Sequence, residues 1–251
     1  MIENKDFDFT GRRVLITGAA GGIGSAMAAA FAAHGGELIL ADCDGEAIEK
    51  LAGELGNGAM FHQYDQGDAA SIAELAASVG AAGTVDVLCN NAGIIQAGPF
   101  LEQSPEIIQR IIAIDLTGPL LMARHIGEAM VARGAGVIVN TASQLAFHGS
   151  ATRAAYAAAK AGLVQFTKSA AAEWAPHGVR VVALAPGRTL TPMTAPFLDT
   201  EAQRREGLKH IPAGRYGNRE EMAKLALFLA SDAASYVVGE TLIADGGYVL
   251  L

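Results

Sequence analysis

The sequence contains little that would support a disulfide framework, a metal centre or a nucleic-acid interface. Only two of its 251 residues are cysteines, Cys43 and Cys89, and each adjoins an apolar run. We expect both to be small buried hydrophobic residues in a reducing compartment. The six histidines form no close pair, so no metal site is predicted. The 26 acidic residues outnumber the 18 basic ones, which gives a net charge of −8 and argues against binding of nucleic acid through a basic face.

Long hydrophobic runs are also missing, and no stretch is long enough to span a bilayer. The first residues, MIENKDFDFTGRR, are too polar for a signal peptide. These absences predict a cytoplasmic protein without a membrane partner. The chain is nevertheless 51% hydrophobic and 18% charged, which is typical of a folded domain with a sizeable core.

Short apolar runs alternate with longer, alanine-rich segments along the whole chain. This alternation predicts an α/β fold with a doubly wound, mostly parallel sheet and helices on both faces. No segment resembles a linker, so residues 1–251 are predicted to form a single domain. The strands are expected near residues 13–18, 37–42, 59–65, 85–93, 136–143, 179–187 and 239–247, and the main helices near residues 23–34, 45–55, 69–79, 105–131 and 154–174.

One irregular stretch, residues 188–217, contains three prolines and is too long for an ordinary connection. We predict that it forms a lid over a functional site.

The stretch TGAAGGIG, residues 17–24, directly follows the first predicted strand and opens a helix. Gly18 permits a tight turn, Gly22 lets a phosphate approach the backbone, and Gly24 lets the helix pack closely on the sheet. The helix N-terminus then offers unpaired N–H groups to a pyrophosphate. Asp42 ends the second strand, where a carboxylate accepts hydrogen bonds from ribose hydroxyls and repels a 2′-phosphate. The pattern favours NAD over NADP, although Asp42 in isolation could simply cap the next helix.

A hydroxyl, a phenol and an amine follow one another in TASQLAFHGSATRAAYAAAK, residues 141–160. Tyr156 and Lys160 stand at i and i+4, on one face of a predicted helix, and Ser143 lies at the end of a predicted strand. A lysine cation at ~4 Å and an effective dielectric of ~20 stabilises a phenolate by about 4 kcal/mol, or roughly three pKa units. We therefore expect Tyr156 to titrate near neutral pH, where a general acid–base works best. Each residue alone could be structural; the combination with the glycine turn favours a catalytic role.

Together these motifs resemble the short-chain dehydrogenase/reductase family, in its shorter, single-domain form with a Rossmann fold. TGAAGGIG, NNAG (residues 90–93), the Ser–Tyr–Lys set, PGRTLT (residues 186–191) and ADGG (residues 244–247) occur in the family's order. The resemblance implies an NAD-dependent oxidoreductase in which Ser143 orients the substrate oxygen, Tyr156 is the general acid–base and Lys160 also binds ribose. It further implies a homotetramer with interfaces near residues 107–130 and 154–174, and cofactor contacts from Gly18, Gly22, Ile23, Gly24, Asp42, Asp65, Gln66, Asn91, Gly93, Tyr156, Lys160, Pro186, Gly187, Thr189 and Thr191.

The chain departs from the family pattern at two positions. Asp115 occupies the place of a fourth catalytic member, an asparagine whose main role is to hold a water through a backbone carbonyl at a helix kink. An aspartate keeps that carbonyl but loses the amide donor, so we expect activity with an altered pH profile. Val182 stands in the sixth strand where the family often has asparagine, which affects the local support of the site.

Several polar residues near these motifs are candidates for substrate binding. They are Gln96, Gln144, Leu145, His148, Arg153 and Arg188. Arg188 follows the PG turn, where an arginine can clamp a carboxylate through two hydrogen bonds; pairing of Arg188 or Arg153 with an acid of the protein is an equal alternative. Few aromatics and many polar groups predict a small polar substrate, such as a polyol, sugar alcohol, sugar acid or hydroxy acid, and the chain is similar to bacterial polyol and sugar-acid dehydrogenases.

Other functions remain open on the sequence alone. The family also reduces 3-oxoacyl thioesters, but that reaction would prefer NADPH, and Asp42 argues against it. A catalytically silent NAD-binding regulator is a second alternative, suggested only by Asp115. A sugar-nucleotide epimerase is disfavoured because the chain has no separate substrate domain.

Overall fold

Seven parallel strands form the central sheet of the computed structural model, which describes residues 4–195 and 200–250. Their order across the sheet is β3-β2-β1-β4-β5-β6-β9, with a separate two-stranded ladder of β7 and β8. The strands are β1 Arg13–Thr17, β2 Glu37–Asp42, β3 Met60–Gln63, β4 Val87–Asn90, β5 Gly136–Thr141, β6 Val179–Pro186, β7 Thr189–Leu190, β8 Gly217–Asn218 and β9 Thr241–Ala244. The helices are α1 Gly22–Ala33, α2 Gly45–Leu55, α3 Ala69–Ala81, α4 Pro105–Ile112, α5 Gly118–Arg133, α6 Ala154–Trp174, α7 Glu201–Leu208 and α8 Arg219–Ala230.

The sheet is covered on both faces, which explains why its strands are nearly continuous apolar runs. One core cluster contains Phe31 of α1 and Ala226 of α8, and the other contains Val79 of α3 and Met122 of α5. Val182, the second departure noted in the sequence, is fully buried in the first cluster and pairs in register with Val139. An apolar side chain at this position therefore fills the core. The predicted doubly wound α/β fold is confirmed.

Strand order reverses between β1 and β4, because the chain first builds outward through β2 and β3 and then returns to the other side of β1. Ligands in such sheets bind in the crevice at the carboxyl ends of the strands beside this switch point. A buried polar chain stiffens the middle of the sheet: the Asn90 amide donates to Asn140 Oδ1 at 3.0 Å, and the Asn140 amide donates to Thr167 Oγ1 at 3.0 Å. Each of these polar contacts satisfies a buried group, so the strand ends are held in fixed positions.

The helix predicted over residues 105–131 is interrupted. Ser104 caps α4 by accepting from the Ile107 N–H, but the backbone changes to a π-helical segment over Ala113–Thr117 before α5 begins. A π segment inserts an extra residue into the helical turn and often marks a functional site. The inserted turn contains Asp115, which is completely buried. Apolar periodicity continues through both helices, so the pattern alone did not reveal the break.

The predicted lid has more secondary structure than its prolines suggested. Its two ends are joined by the β7–β8 ladder, where Thr189 pairs with Gly217. Helix α7 begins at a capping box in which Thr200 accepts from the Gln203 N–H and the Gln203 side chain accepts from the Thr200 N–H. Residues 196–199 of the predicted lid lie outside the described residues.

The two cysteines differ in their surroundings. Cys89 lies in β4 and is fully buried, as expected. Cys43 is exposed, so the prediction that it is buried was wrong. It directly follows the end of β2 in the turn to α2, where the backbone has left the sheet. Within residues 4–195 and 200–250, no helix is both long and apolar enough to cross a membrane.

Candidate active site

A cavity of about 580 Å³ lies at the carboxyl ends of the strands, next to the switch point. It brings together residues that are more than 150 positions apart in the sequence. The predicted site residues that line it are Gly18, Gly22, Ile23, Asp42, Asp65, Gln66, Asn91, Gly93, Ser143, Gln144, Leu145, Arg153, Tyr156, Lys160, Pro186, Gly187, Arg188, Thr189 and Thr191.

The glycine turn forms one end of this cavity. Gly18 has a φ of +63°, and a Cβ atom there would lie 2.6 Å from the Ala92 Cα, so only glycine fits. Gly24 does not line the cavity; a Cβ atom on it would lie 2.1 Å from the Gly18 carbonyl oxygen, so its role is the close packing of α1. The first turn of α1 has no side-chain cap and no acidic residue. Its unpaired N–H groups therefore face the cavity, which suits a pyrophosphate.

Asp42 is held at the same end of the cavity by backbone hydrogen bonds. Its Oδ2 accepts from the Ala20 N–H at 3.0 Å, and its Oδ1 accepts from the Asp44 N–H at 3.1 Å. These contacts fix the carboxylate between the glycine turn and the start of α2, whose N-cap is Asp44. A carboxylate at the end of the second strand, beside a phosphate-binding turn, is placed for the ribose of a dinucleotide.

Asn91 connects the end of β4 to the glycine turn. Its side-chain amide donates to the carbonyl oxygens of Thr17 and Gly18, each at 3.1 Å, and its own N–H donates to Thr17 Oγ1 at 3.0 Å. The nucleotide end of the cavity is thus built by residues from two adjacent strands. At the same end, the Gln66 side chain is buried and accepts from the Tyr64 hydroxyl at 2.5 Å, and Asp65 Oδ1 accepts from the Gly67 N–H at 2.8 Å.

The three residues of the Ser–Tyr–Lys set meet at the centre of the cavity. Ser143 lies two residues after the end of β5 and is 7% exposed, and its Oγ accepts from the Leu145 N–H at 3.2 Å. Tyr156 lies in the first turn of α6 and lines the cavity beside Ser143, whose side chain lowers the pKa of the phenol. Lys160 lies one turn later, with its Nζ 5.8 Å from the centroid of the Tyr156 ring. The helix thus presents phenol and amine to the same space.

Lys160 forms a buried ion pair with Asp115, which does not line the cavity. Its Nζ donates to the Thr141 carbonyl oxygen at 2.9 Å and lies 3.6 Å from Asp115 Oδ1, and both side chains are almost fully buried. Asp115 Oδ1 also accepts from the Ile94 N–H at 3.0 Å. A Cβ atom on Gly93 would lie 2.5 Å from Asp115 Oδ1 and 3.3 Å from Lys160 Nζ. Gly93 is therefore required beside the ion pair, in addition to its place on the cavity wall.

The predicted near-neutral titration of Tyr156 is contradicted. Burial raises the pKa of Tyr156, the negative charge of Asp115 raises it further, and the hydrogen bond from Ser143 and the charge of Arg153 lower it. Burial also raises the pKa of Asp115, whereas Lys160 and the Ile94 N–H lower it. The sequence estimate assigned the whole lysine charge to the phenol. The structure shows that the same charge is shared with a carboxylate 3.6 Å away.

Threonines organise the start of the lid beside the PG turn. Thr189 is buried, and its carbonyl oxygen accepts from Thr194 Oγ1 at 2.6 Å. The Thr191 N–H donates to the same Thr194 oxygen at 3.0 Å. Gly187 is needed because a Cβ atom there would lie 2.4 Å from the Asp245 Cα, where β6 and β9 converge. This segment forms part of the cavity wall.

The remaining wall of the cavity is formed by Gln144, Arg153, Arg188 and Tyr248. Tyr248 was not found by sequence reasoning: its only signal is that it follows the ADGG motif directly. Arg188 stacks on it, with Cζ 5.6 Å from the ring centroid. His148 does not line the cavity but packs against the other side of the cluster, 4.9 Å from the Tyr248 ring.

Gln96 is not at the cavity, so its prediction as a substrate residue was wrong. Its side chain is exposed. Ile94 and Ile95 form the wall after β4, and two residues later the chain turns outward, where the Gly98 N–H donates to the Thr152 carbonyl oxygen at 2.9 Å.

Comparison with known proteins identifies the family of this chain. A family model described as enoyl-(acyl carrier protein) reductase matches residues 18–249. The D-threitol dehydrogenase of Mycolicibacterium smegmatis is 40% identical over 252 residues, which cover 98% of this chain and 96% of the relative. The chain belongs to the short-chain dehydrogenase/reductase family.

Two further proteins are similar to this dehydrogenase/reductase over nearly their whole length. The NAD-dependent glycerol dehydrogenase of Listeria innocua is 37% identical over 250 residues, which cover 98% of this chain and 97% of that protein. A crystal structure from Beutenbergia cavernae, assigned provisionally as an NAD(P)-dependent gluconate 5-dehydrogenase and containing NADP at low occupancy, has a TM-score of 0.95 and 39% identity. The aligned residues cover 98% of this chain and 100% of the chain in that crystal structure. The predicted family, and its similarity to polyol and sugar-acid dehydrogenases, are confirmed.

A nicotinamide dinucleotide fits the residues present. The glycine turn has no room for side chains, the first turn of α1 offers N–H groups, and Asp42 stands at the end of β2 beside them. The protein is therefore an oxidoreductase of this family with a nicotinamide cofactor.

Proposed function

We propose that this protein is an NAD-dependent dehydrogenase that interconverts a secondary alcohol and a ketone on a small polar substrate. The substrate is a polyol, sugar alcohol, sugar acid or hydroxy acid. The observation that carries the proposal is the convergence of Ser143, Tyr156 and Lys160 in one cavity whose other end holds the glycine turn and Asp42. Each of these features alone is common; together they provide a proton-transfer group beside a dinucleotide site.

In the proposed oxidation, Tyr156 removes the proton of the substrate hydroxyl. Ser143 lines the cavity with Tyr156 and lowers the pKa of the phenol, so a substrate hydroxyl between the two side chains can contact both. Lys160 favours the phenolate through its charge, since its Nζ lies 5.8 Å from the ring centroid. A bound NAD would accept the hydride that leaves the substrate carbon as Tyr156 takes the hydroxyl proton. In the reverse direction the phenol returns its proton to the carbonyl oxygen.

Asp115 acts behind this set and not on the substrate. Its carboxylate does not line the cavity, lies 3.6 Å from Lys160 Nζ and also accepts from the Ile94 N–H. It therefore orients the lysine and balances part of its charge. We assign it as a positioning residue, in the place where the family has an asparagine.

The preference for NAD rests on Asp42. Its two backbone hydrogen bonds leave the carboxylate fixed at the ribose position, and a 2′-phosphate there would meet a negative charge in a partly dry site. Among relatives, the glycerol dehydrogenase is NAD-dependent and the gluconate 5-dehydrogenase structure contains NADP. Coenzyme choice in this chain therefore has to be read from its own residues.

The proposal is tested by following the near-ultraviolet absorbance of the reduced nicotinamide. Purified protein is assayed with NAD or NADP against a panel of polyols, sugar acids and hydroxy acids. We expect turnover of the wild-type protein with NAD. In Tyr156→Phe we expect kcat to fall by a factor on the order of 10³. Tyr236→Phe is the matched control, because Tyr236 is fully exposed and does not line the cavity. A faster reaction with NADP would contradict the role of Asp42.

The assembly of the protein remains a prediction from the family. We propose a homotetramer in which residues 107–130 and 154–174 contribute the interfaces. Light scattering of the purified protein tests it, since a mass close to the 25.8 kDa of one chain would contradict it.

A further inference from the structure

Two arginines, Arg153 and Arg188, line the same cavity as Tyr156, and each is near enough for its charge to affect the other. Arg153 precedes the first turn of α6, and Arg188 follows β6 at the start of the lid. We infer that these two guanidinium groups bind a carboxylate of the substrate, so that the protein acts on hydroxy acids of the aldonate type in preference to neutral polyols. The inference rests on the proposed function, because it names the substrate class of the same site.

Arg188 is held by packing and has its charge available. Its guanidinium lies over the Tyr248 ring, with Cζ 5.6 Å from the centroid, and its Nη1 is close to Gly207 of α7. A Cβ atom on Gly207 would lie 2.6 Å from Nη1, so a side chain at position 207 would collide with the guanidinium of Arg188. Within the described part of the chain, no carboxylate forms an ion pair with Arg188. A planar, stacked arginine of this kind suits a carboxylate through two parallel hydrogen bonds.

Arg153 lines the cavity with Arg188 and Tyr156 and interacts electrostatically with both. Burial lowers the pKa of Arg153, and the positive charge of Arg188 lowers it further. Two cations in one half-buried wall repel each other, and a carboxylate between them removes that repulsion. The backbone before Arg153 is also constrained: Thr152 has a φ of +68°, which is rare for a β-branched residue, and its carbonyl oxygen accepts from the Gly98 N–H at 2.9 Å. The arginine is therefore presented by a fixed loop.

A buried, unpartnered oxygen points to the same ligand. Gln144 is only 4% exposed and lines the cavity, yet its Oε1 makes no hydrogen bond within the described residues. Buried polar atoms are rarely left unsatisfied, so this oxygen is available to a donor such as a substrate hydroxyl. The acidic residues lining the cavity are Asp42, Asp44 and Asp65, which all belong to the nucleotide end. Arg110 also lines the cavity and lies with Asp65, so none of the acidic lining residues is left to neutralise Arg188.

These groups together define a hydroxy acid. The reacting hydroxyl lies at Ser143 and Tyr156, a further hydroxyl donates to Gln144, and the carboxylate lies between Arg153 and Arg188. A neutral polyol satisfies the first two contacts but provides no carboxylate for Arg188, which forms no ion pair within the described residues.

The test compares acids and alcohols with the same carbon skeleton. The pairs are threonate with threitol, galactonate with galactitol, and gluconate with glucitol, each assayed with NAD. We expect kcat/KM for the preferred acid to exceed that of its alcohol by at least about tenfold, since a charge-assisted pair contributes that much or more. In Arg188→Met we expect the acid to lose at least about tenfold in kcat/KM while the alcohol changes by less than about threefold. Arg188→Lys should recover only part of the loss, because an ammonium group makes no paired contact.

Arg219→Met is the matched control, because Arg219 is an exposed arginine at the start of α8 that does not line the cavity. Binding is measured separately by titration calorimetry, with the preferred acid, or gluconate if none reacts, added to wild-type and Arg188→Met protein. Equal kcat/KM for acids and alcohols, or an equal loss for both in Arg188→Met, would overturn the inference while leaving the dehydrogenase proposal in place. If no compound reacts, the proposed function fails. Binding of the acid that is lost in Arg188→Met would still support the carboxylate site. If the acid does not bind to the wild-type protein, the carboxylate site is overturned as well.

Discussion

Replacement of Asp115 by asparagine should move the pH profile of the oxidation to lower pH. The substitution keeps the side-chain shape and the acceptor for the Ile94 N–H, but it removes the negative charge 3.6 Å from Lys160 Nζ. In the wild type that charge raises the pKa of Tyr156, because it opposes the formation of a phenolate nearby. Oxidation needs the deprotonated phenol, so kcat/KM rises with pH through this pKa. A lower pKa therefore shifts the rising limb downward.

The size of the shift follows from the distance between the lysine and the phenol. A cation 5.8 Å from the ring centroid stabilises a phenolate by about 3 kcal/mol at an effective dielectric of ~20, or roughly two pKa units. The Asp115 carboxylate lies nearer to the lysine than the ring does and balances much of this effect. We expect Asp115→Asn to lower the apparent pKa by about one to two units, with two units as the upper limit because the carboxylate cancels only part of the lysine charge.

The measurement is kcat/KM against pH from about 6 to 10, with saturating NAD and the best substrate of the panel. Asp86→Asn is the control. Like Asp115, Asp86 forms an ion pair with a basic residue, in this case Arg133 at 2.8 Å, but it does not line the cavity and is not among the groups that shift the pKa of Tyr156. Its profile should stay at the wild-type position. An unchanged profile in Asp115→Asn would refute the reasoning, because the carboxylate charge would then have no effect on the phenol. A shift to higher pH would refute it equally.

Three further predictions concern the cofactor end, the glycine beside the ion pair and the base of the lid. Asp42→Ala should lower the ratio of kcat/KM with NAD to that with NADP by at least about tenfold, because it removes both the ribose acceptor and the repulsion of a 2′-phosphate; an unchanged ratio would show that another residue selects the coenzyme. Gly93→Ala should lower the free energy of unfolding, measured in urea titrations, by about 1–3 kcal/mol. Much of this loss should disappear in an Asp115→Ala background, because the carboxylate that the new methyl group meets is then gone. If the losses of the two single variants simply add in the double variant, the contact does not cause the loss. Asn218→Ala should cost about 1 kcal/mol and lower Tm by roughly 2–4 °C, because it breaks the capping box of α8, whereas an unchanged Tm would mean that the cap contributes nothing.

The sequence by itself determined the fold and most of the nucleotide end of the site. Alternating apolar runs and helical segments determine a parallel, doubly wound sheet, because strands buried on both faces and helices that cover them have different periodicities. The glycine turn could be read in the same way, since its backbone conformation is local: Gly18 has a positive φ, and Gly24 has no room for a side chain. The expected role of Asp42 at the ribose could be predicted as well, because it is an acidic residue at the end of the second strand.

Tertiary structure alone decided the charge balance around the catalytic residues and the shape of the substrate end. The sequence places Lys160 one turn after Tyr156, but it does not show that Asp115, 45 positions earlier, lies 3.6 Å from the same amine. A pKa depends on burial and on every nearby charge, so the local spacing predicted a lowered value where burial and Asp115 raise it. Arg153, Arg188 and Tyr248 likewise come from three separate segments, and Gln96, which is near the site in sequence, points away from it. Contacts between distant segments depend on how the elements pack, and no local pattern in the chain encodes them.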